Sequence, residues 1–188
     1  MTTIVGIAGS LRRGSYNLML LRAAADVMPE GVSLEIASIA DIPLYNADDE
    51  AERGIPASVQ QLKDRIAAAD GLLIVTPEYN NAMPGVLKNA IDWLSRPAAD
   101  IPRVFRDRPV AIMGATTGPG LTILAQAAWL PVLRLLGTAP WFGGRIMIAN
   151  AAGAFDDQGR LHDEAAQKRL DDFIGGFAAY VDRRRSPS

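Results

Sequence analysis

Thr3-Ile4-Val5-Gly6-Ile7-Ala8-Gly9-Ser10-Leu11-Arg12-Arg13-Gly14-Ser15-Tyr16-Asn17 is the stretch on which the fold turns. Its first residues form a short, nearly continuous apolar run, as expected of a strand buried on both faces of a parallel sheet. Gly9-Ser10 ends that run. A small, polar, basic turn then leads into Leu18-Met19-Leu20-Leu21-Arg22-Ala23-Ala24-Ala25, which reads as a helix. Ser15 or Asn17 is expected to cap it, with the free N–H groups directed back over the turn. A strand, a Gly/Ser-rich turn and a helix N-terminus together make a site for an anion, usually a phosphate. The same residues also suit a plain tight turn with an N-cap, so this loop alone does not name a ligand.

What the turn lacks is informative. A dinucleotide fingerprint requires G-x-G-x-x-G, whereas Gly6, Gly9 and Gly14 have another spacing. Gly9 and Gly14 match the spacing of a Walker A loop, but Ser15 stands where its lysine belongs. Low-molecular-weight tyrosine phosphatases place a cysteine in a similar loop, and this sequence has none. What remains is a hydroxyl-rich loop (Ser10, Ser15, Asn17) with Arg12, suited to a terminal monophosphate.

The 188 residues suit one domain, 1–188, with one sizeable core. About half are apolar (49%) and the formal net charge is −2, the balance of an ordinary soluble protein with no basic excess for nucleic acid. Arg183-Arg184-Arg185 reads as a solvated tail. No apolar stretch is long enough to span a bilayer, and the chain enters a strand with no signal-peptide pattern. With no cysteines, these features give a cytoplasmic, membrane-free expectation and remove thiolate metal sites and a Cys nucleophile.

Val32–Ala37 alternates like a strand with one polar face, nearer the sheet edge. Asp41 through Gly54 is acidic and reads as a long surface loop, after which Pro56 opens a helix with Val59, Leu62 and Ile66 at helical spacing. Leu72–Thr76 is a second buried strand, followed by Pro77-Glu78-Tyr79-Asn80-Asn81-Ala82-Met83-Pro84-Gly85 and a helix through Leu94. Pro109–Ala115 is a fourth strand. It ends in Thr116-Thr117-Gly118-Pro119-Gly120 before a long helix from about Leu121 to Leu136, which Gly137 can stop. Arg145–Ala149 reads as the last strand and Asp163 to about Arg183 as a terminal amphipathic helix. Five strands alternating with five helices predict an α/β, flavodoxin-like three-layer sandwich with a five-stranded parallel sheet in the order 2-1-3-4-5.

In that order a ligand sits beyond the carboxyl ends of the strands, at the switch between strands one and three. Three atypical polar turns meet there: Ser10 to Asn17, Pro77 to Met83, and Thr116 to Gly120. A ligand with a phosphate in the first and a flat polar body across the others has the shape of FMN. Backbone amides around Glu78-Tyr79-Asn80 are suited to the polar edge of its ring, and Tyr79 to its flank. N–H groups of Thr117-Gly118, near a helix N-terminus, suit negative charge on the reduced ring.

Gly9-Ser10-Leu11-Arg12-x-Gly14-Ser15-x-Asn17, with Pro77-Glu78-Tyr79-Asn80-x-x-x-Pro84-Gly85-x-Leu87-Lys88-Asn89-Ala90-Ile91-Asp92-Trp93, resembles the NADPH-dependent FMN reductase family, which includes chromate and quinone reductases and azoreductase-like flavoproteins. The resemblance covers about the first hundred residues. It implies noncovalent FMN, NAD(P)H as co-substrate, and a homodimer or homotetramer. It further implies two-electron, ping-pong hydride transfer through flavin N5 to a quinone, flavin, azo or nitro compound, or metal oxyanion. By position it puts Ser10, Arg12, Ser15 and Asn17 on the FMN phosphate and Pro77, Glu78, Tyr79 and Asn80 around the ring; the turn reading adds Thr116, Thr117 and Gly118. No side chain is needed as nucleophile or general acid, with Glu78 the one ionisable auxiliary. After strand four the chain departs from the pattern, with a more apolar helix carrying Trp129 where many relatives have Arg and Gln.

The rival readings are narrower. A non-enzymatic FMN-binding electron carrier or scaffold would share the fold, although flavodoxin carriers are strongly acidic. A receiver domain needs an acidic cluster where Ser10 and Thr76 stand. His162, the single histidine, lies in a polar stretch and reads as a surface or capping residue. Trp129, Trp141 and Phe142 suit either core or an apolar patch for self-association. Arg12, Arg13, Arg103 and Arg106 are the candidates for a co-substrate 2′-phosphate.

Overall fold

Strand alternation divides the apolar residues between two helical layers. The computed structural model describes residues 1–185, in which six strands form one parallel sheet. They are β1 (Thr2–Ala8), β2 (Val32–Ala37), β3 (Gly71–Val75), β4 (Pro109–Ala115), β5 (Ala139–Pro140) and β6 (Ile146–Ile148). Ile4, Leu73, Val75, Ala111 and Met113 face one core, shared with α1 (Tyr16–Asp26) and the terminal helix α8 (Glu164–Arg185). Val5, Ile7, Leu72, Ile74 and Val110 face the other. That second core is built with α3 (Ala57–Ala68), α4 (Gly85–Leu94) and α6 (Ile123–Leu135). Because both faces are covered, the central strands need apolar residues at every position.

The strand order is β2-β1-β3-β4-β5, with β6 also paired to β4. The expected order 2-1-3-4-5 therefore holds, but the fifth place is split. Ala139 and Pro140 pair with Pro109 and Val110, the chain leaves the sheet, and Ile146–Ile148 returns beside Met113–Ala115. The predicted strand at Arg145–Ala149 is the second piece. The first is two residues long and ends on a proline, too little pattern to read as a strand.

The helices are more numerous than five. Asp41–Gly54, expected to be loop throughout, contains α2 (Ala47–Arg53). Asn46 Oδ1 accepts the Asp48 N–H at 2.9 Å, Asp48, Asp49 and Glu50 fill the first turn, and Gly54 at φ 74° ends the helix. Every one of these is a helix signal that the acidic composition and flanking prolines obscured. Short helices α5 (Ile101–Val104) and α7 (Ala151–Ala154) and a 3-10 turn at Ala98–Asp100 complete the connections. Among the described residues no helix is long and apolar enough to cross a membrane.

Candidate functional site

The carboxyl ends of β1, β3 and β4 carry the three predicted turns, and they close around one cavity of about 390 Å³. Ser10, Arg12, Ser15, Tyr16 and Asn17 line it from the first turn; Pro77, Glu78 and Tyr79 from the second; Ala115, Thr116 and Thr117 from the third. Of the eleven candidate residues, Asn80 and Gly118 do not line it. Tyr16 and Ala115 are additional: Tyr16 lies within the first turn with no motif position to single it out, and Ala115 reads as strand.

In the first turn, Gly9 N–H donates to the Val75 carbonyl at 2.8 Å, bringing the turn onto β3. A Cβ on Gly9 would lie 2.7 Å from Leu87 Cδ2 and 3.1 Å from Pro77 Cδ, so the close seating of the first and second turns requires glycine. Ser15 is the cap of α1, its Oγ accepting the Leu18 N–H at 3.3 Å. The N–H groups of Tyr16 and Asn17 have no intrahelical acceptor and are available to an anion. The Arg12 guanidinium lies over the Tyr16 ring, 5.2 Å from its centroid. That places a cation at the turn, and among the described residues no carboxylate pairs with it.

Asn17 behaves differently from expectation. Its side chain is buried, Nδ2 donates to the Ala115 carbonyl at 2.9 Å, and Oδ1 accepts the Ala115 N–H at 2.9 Å. The amide clamps α1 to the end of β4, so only the backbone N–H of Asn17 is left for a ligand. A cap and a clamp look alike in sequence, and the partner is 98 residues away.

The second turn is a small hairpin. Tyr79 and Ala82 exchange backbone hydrogen bonds of 3.1 and 3.0 Å, with Asn80 at φ 50° and Asn81 at φ 59° between them. Two successive positive φ angles make a type I′ turn, a conformation that asparagine tolerates well. Asn80 thus shapes the loop from its exposed tip. Tyr79 is 49% exposed, and its hydroxyl donates to Ser10 Oγ at 3.4 Å, linking the two turns across the cavity mouth. Glu78 Oε2 accepts the Ala125 N–H at 3.0 Å and so caps α6.

The third turn is pinned from behind. Thr116 N–H donates to the Ile148 carbonyl at 2.8 Å, and its own carbonyl accepts the Ala151 N–H at 3.0 Å. Thr116 Oγ1 accepts the Gly118 N–H at 3.3 Å, and Gly118 O accepts the Asn150 N–H at 3.1 Å. The helix that follows begins only at Ile123, and its N-terminus is occupied by Glu78. The expectation that this helix end lies behind Thr117-Gly118 is therefore corrected; Thr117 contributes as a turn residue.

Other candidates fall outside the cavity. Arg103 is bound to Asp64 at 2.7 Å, on the short helix that leads into the amino end of β4, away from the turns. His162 follows the bridge between Phe155 and Leu161 and is exposed. Trp129 is fully buried, with Nε1 donating to the Thr76 hydroxyl oxygen at 3.4 Å; Trp141 packs edge-on against Phe173, and only Phe142 stands well out, 74% exposed. Among the described residues no three His, Cys, Asp or Glu side chains are grouped to hold a metal ion.

The donor set fits a flavin monophosphate: hydroxyls, an unpaired arginine and two free helix N–H groups at one end, and backbone-rich turns with an aromatic edge at the other. Fold and site together define a flavodoxin-like protein whose cavity at the carboxyl ends of β1, β3 and β4 suits a phosphate joined to a flat group. The model of the NADPH-dependent FMN reductase family matches residues 2–153, and the chain belongs to that family. It is an oxidoreductase, with FMN as cofactor and NAD(P)H as co-substrate. It is 44% identical over 182 residues to an NAD(P)H-dependent FMN reductase of Pseudomonas aeruginosa, covering 97% of this chain and 96% of that one. It is 38% identical over 182 residues to a 2-hydroxy-1,4-benzoquinone reductase of a Burkholderia species, covering 97% of each. The solved structure of FerB, a flavoenzyme NAD(P)H:(acceptor) oxidoreductase from Paracoccus denitrificans, matches with a TM-score of 0.87 and 33% identity, covering 98% of this chain and 99% of that one.

Proposed function

We propose that the chain, acting as one FMN-binding domain over residues 1–188, transfers electrons from NAD(P)H to a quinone. The convergence of three turns on one cavity carries the reading. The benzoquinone reductase among its relatives supports the acceptor class. Ser10, Arg12, Ser15 and the N–H groups of Tyr16 and Asn17 hold the phosphate, while Pro77, Glu78, Tyr79, Thr116 and Thr117 surround the ring. Asn80 and Gly118 set the loops that do so. FMN, when bound, supplies two-electron hydride exchange, so that nicotinamide and acceptor can use one ring face in turn. The protein's part is to fix the loops, keep Tyr79 at the mouth and leave that face open. The reading keeps the cytoplasmic location expected from sequence. It also keeps a homodimer or homotetramer, which the exposed Ile123, Leu124, Leu130 and Leu135 of α6 and nearby Phe142 support.

The test is a visible spectrum of purified protein after FMN addition and desalting, then anaerobic NADPH, then 1,4-benzoquinone. Retained flavin absorbance that bleaches with NADPH and returns with the quinone is the expected result. Flavin that is retained but does not bleach overturns the reductase reading. Flavin that bleaches but is not reoxidised by the quinone overturns the acceptor class.

A further inference from the structure

A second groove, of about 340 Å³, lies beside the flavin cavity on the side of β2. The two share Ser10 and Arg12 along their common edge. Arg13 and Arg22 line the groove from α1 and the turn before it, and Ser38 and Ile39 line it from the segment after β2. Arg13 and Arg22 are both exposed, and among the described residues neither has a carboxylate within ion-pair distance. Arg53, Arg103, Arg160 and Lys168 are exposed cations with acidic partners. Arg106, Arg134, Arg145 and Arg169 are exposed without one among the described residues, so what sets Arg13 and Arg22 apart is that the two line one groove together. The first turn of α1 holds no acidic residue. Asp26, one turn beyond Arg22, shares a neighbouring groove with it, and Asp41 lies just past Ala40; among the described residues neither bridges to these arginines. Two free guanidinium groups on an apolar-floored groove, in a chain of net charge −2, form a local site for a doubly charged anion attached to a flat apolar body.

We infer that this groove takes the adenosine 2′-phosphate end of NADPH, with Arg13 and Arg22 on the 2′-phosphate and Ile39 under the adenine. Of the four arginines that sequence offers for this phosphate, the fold withdraws Arg103, which is tied to Asp64 and Asp100, and Arg106, which lies between α5 and the amino end of β4. Arg12 belongs to the edge shared with the flavin cavity. Arg22, a helix residue with no motif around it, is the member that only the fold reveals. The inference rests on the reductase reading, because it assigns the groove to that reaction's co-substrate.

The test is calorimetric titration of the FMN-loaded full chain with 2′,5′-ADP, with 5′-ADP and inorganic phosphate for comparison. It is repeated on the double variant Arg13→Ala/Arg22→Ala, whose FMN content verifies an intact fold. The parent is expected to bind 2′,5′-ADP at least about tenfold more tightly than 5′-ADP, as a charge-assisted phosphate contact implies, and the variant is expected to lose that difference. Equal affinities in the parent, or an unchanged preference in the variant, overturn the inference. Displacement of 2′,5′-ADP by equimolar inorganic phosphate also overturns it, in favour of a simple anion site. These outcomes do not depend on flavin reduction, so a reductase reading that fails with NADPH fails separately.

Discussion

Glu78 and Ala125 are joined by a 3.0 Å hydrogen bond in which the carboxylate of the ring-side loop accepts a main-chain N–H of α6. The loop after β3 thereby caps a helix that begins after β4. The negative charge sits where the helix dipole favours it, and the loop cannot move without uncapping the helix. Glu78→Ala is expected to cost about 1 kcal/mol of stability, the usual worth of a cap, and to weaken FMN binding several-fold because the loop is released. Glu78→Gln keeps an acceptor oxygen and is expected to recover most of both. Urea denaturation and FMN titration measure them. An alanine variant that matches the parent in both would show that the bond does not order the loop.

Asn17 makes a stronger prediction because its partner groups are buried. Removing the side chain leaves both the N–H and the C=O of Ala115 unpaired at the end of β4. At about 1–3 kcal/mol per orphaned group, Asn17→Ala is expected to destabilise the fold by roughly 2–6 kcal/mol. The denaturation midpoint should fall with little change in slope, since the surface exposed on unfolding stays the same. A midpoint within error of the parent would mean that water replaces the clamp.

These two residues mark the limit of what the sequence discloses. Apolar runs such as Leu72–Val75 and the crossovers between them define the sheet and its order, and the three polar turns announce the site. Side-chain length and chemistry do not reveal that Asn17 bonds a strand end, that Glu78 bonds a helix start, or that Trp129 lies in the core. Each depends on segments brought together from far along the chain. The helix at Ala47–Arg53 is another matter. Asn46 followed by three acidic residues is a local signal, present in the sequence and outweighed by its surroundings.

The pH dependence of stability follows from Lys63 and Asp100. Lys63 is buried, and its ammonium donates to the Arg96 carbonyl at 2.6 Å and pairs with the Asp100 carboxylate. The hydrogen bond from Lys63 holds the Asp100 carboxyl below its ordinary value, against the opposing effect of burial. Glu50 is lowered similarly, chiefly by its hydrogen bond from Arg96. A carboxyl depressed in the folded state contributes stability that is complete above its unfolded value, near pH 4, and lost as pH falls through the folded value. The protein is therefore expected to keep its urea midpoint from pH 7 to about 5 and lose it progressively below 4. Asp100→Asn should be less stable at pH 7 and show a shallower loss below pH 4. The loss will not vanish, since Asp64 and Asp156 are also depressed, the first mainly by Arg103 and the second mainly by the Arg160 main chain. Parallel pH profiles for variant and parent would remove Asp100 from the account.

Two glycines beside the same loops should respond in opposite ways to one added methyl. At Gly114 a Cβ would run into the Thr76 carbonyl oxygen and lie 2.5 Å from Thr122 Oγ1. The first of those atoms is backbone and the second belongs to a buried side chain that also accepts from Gln126 Nε2. Neither yields cheaply, so β3 and β4 must separate at the ends that carry the second and third turns. Gly114→Ala is expected to cost about 1–3 kcal/mol by overpacking and to reduce FMN binding out of proportion to that loss, because the damage lies in the cavity wall. At Gly85, the first residue of α4, nothing lies within 4 Å of the added carbon and the backbone is not in the positive-φ region. Gly85→Ala should leave FMN binding as it is and stabilise the fold by about 0.4–1 kcal/mol through the unfolded chain. Measuring both variants by urea denaturation and FMN titration separates close strand approach from a general intolerance of substitution near the site. If Gly114→Ala binds FMN as the parent does, the spacing of β3 and β4 at their carboxyl ends is not what shapes the cavity.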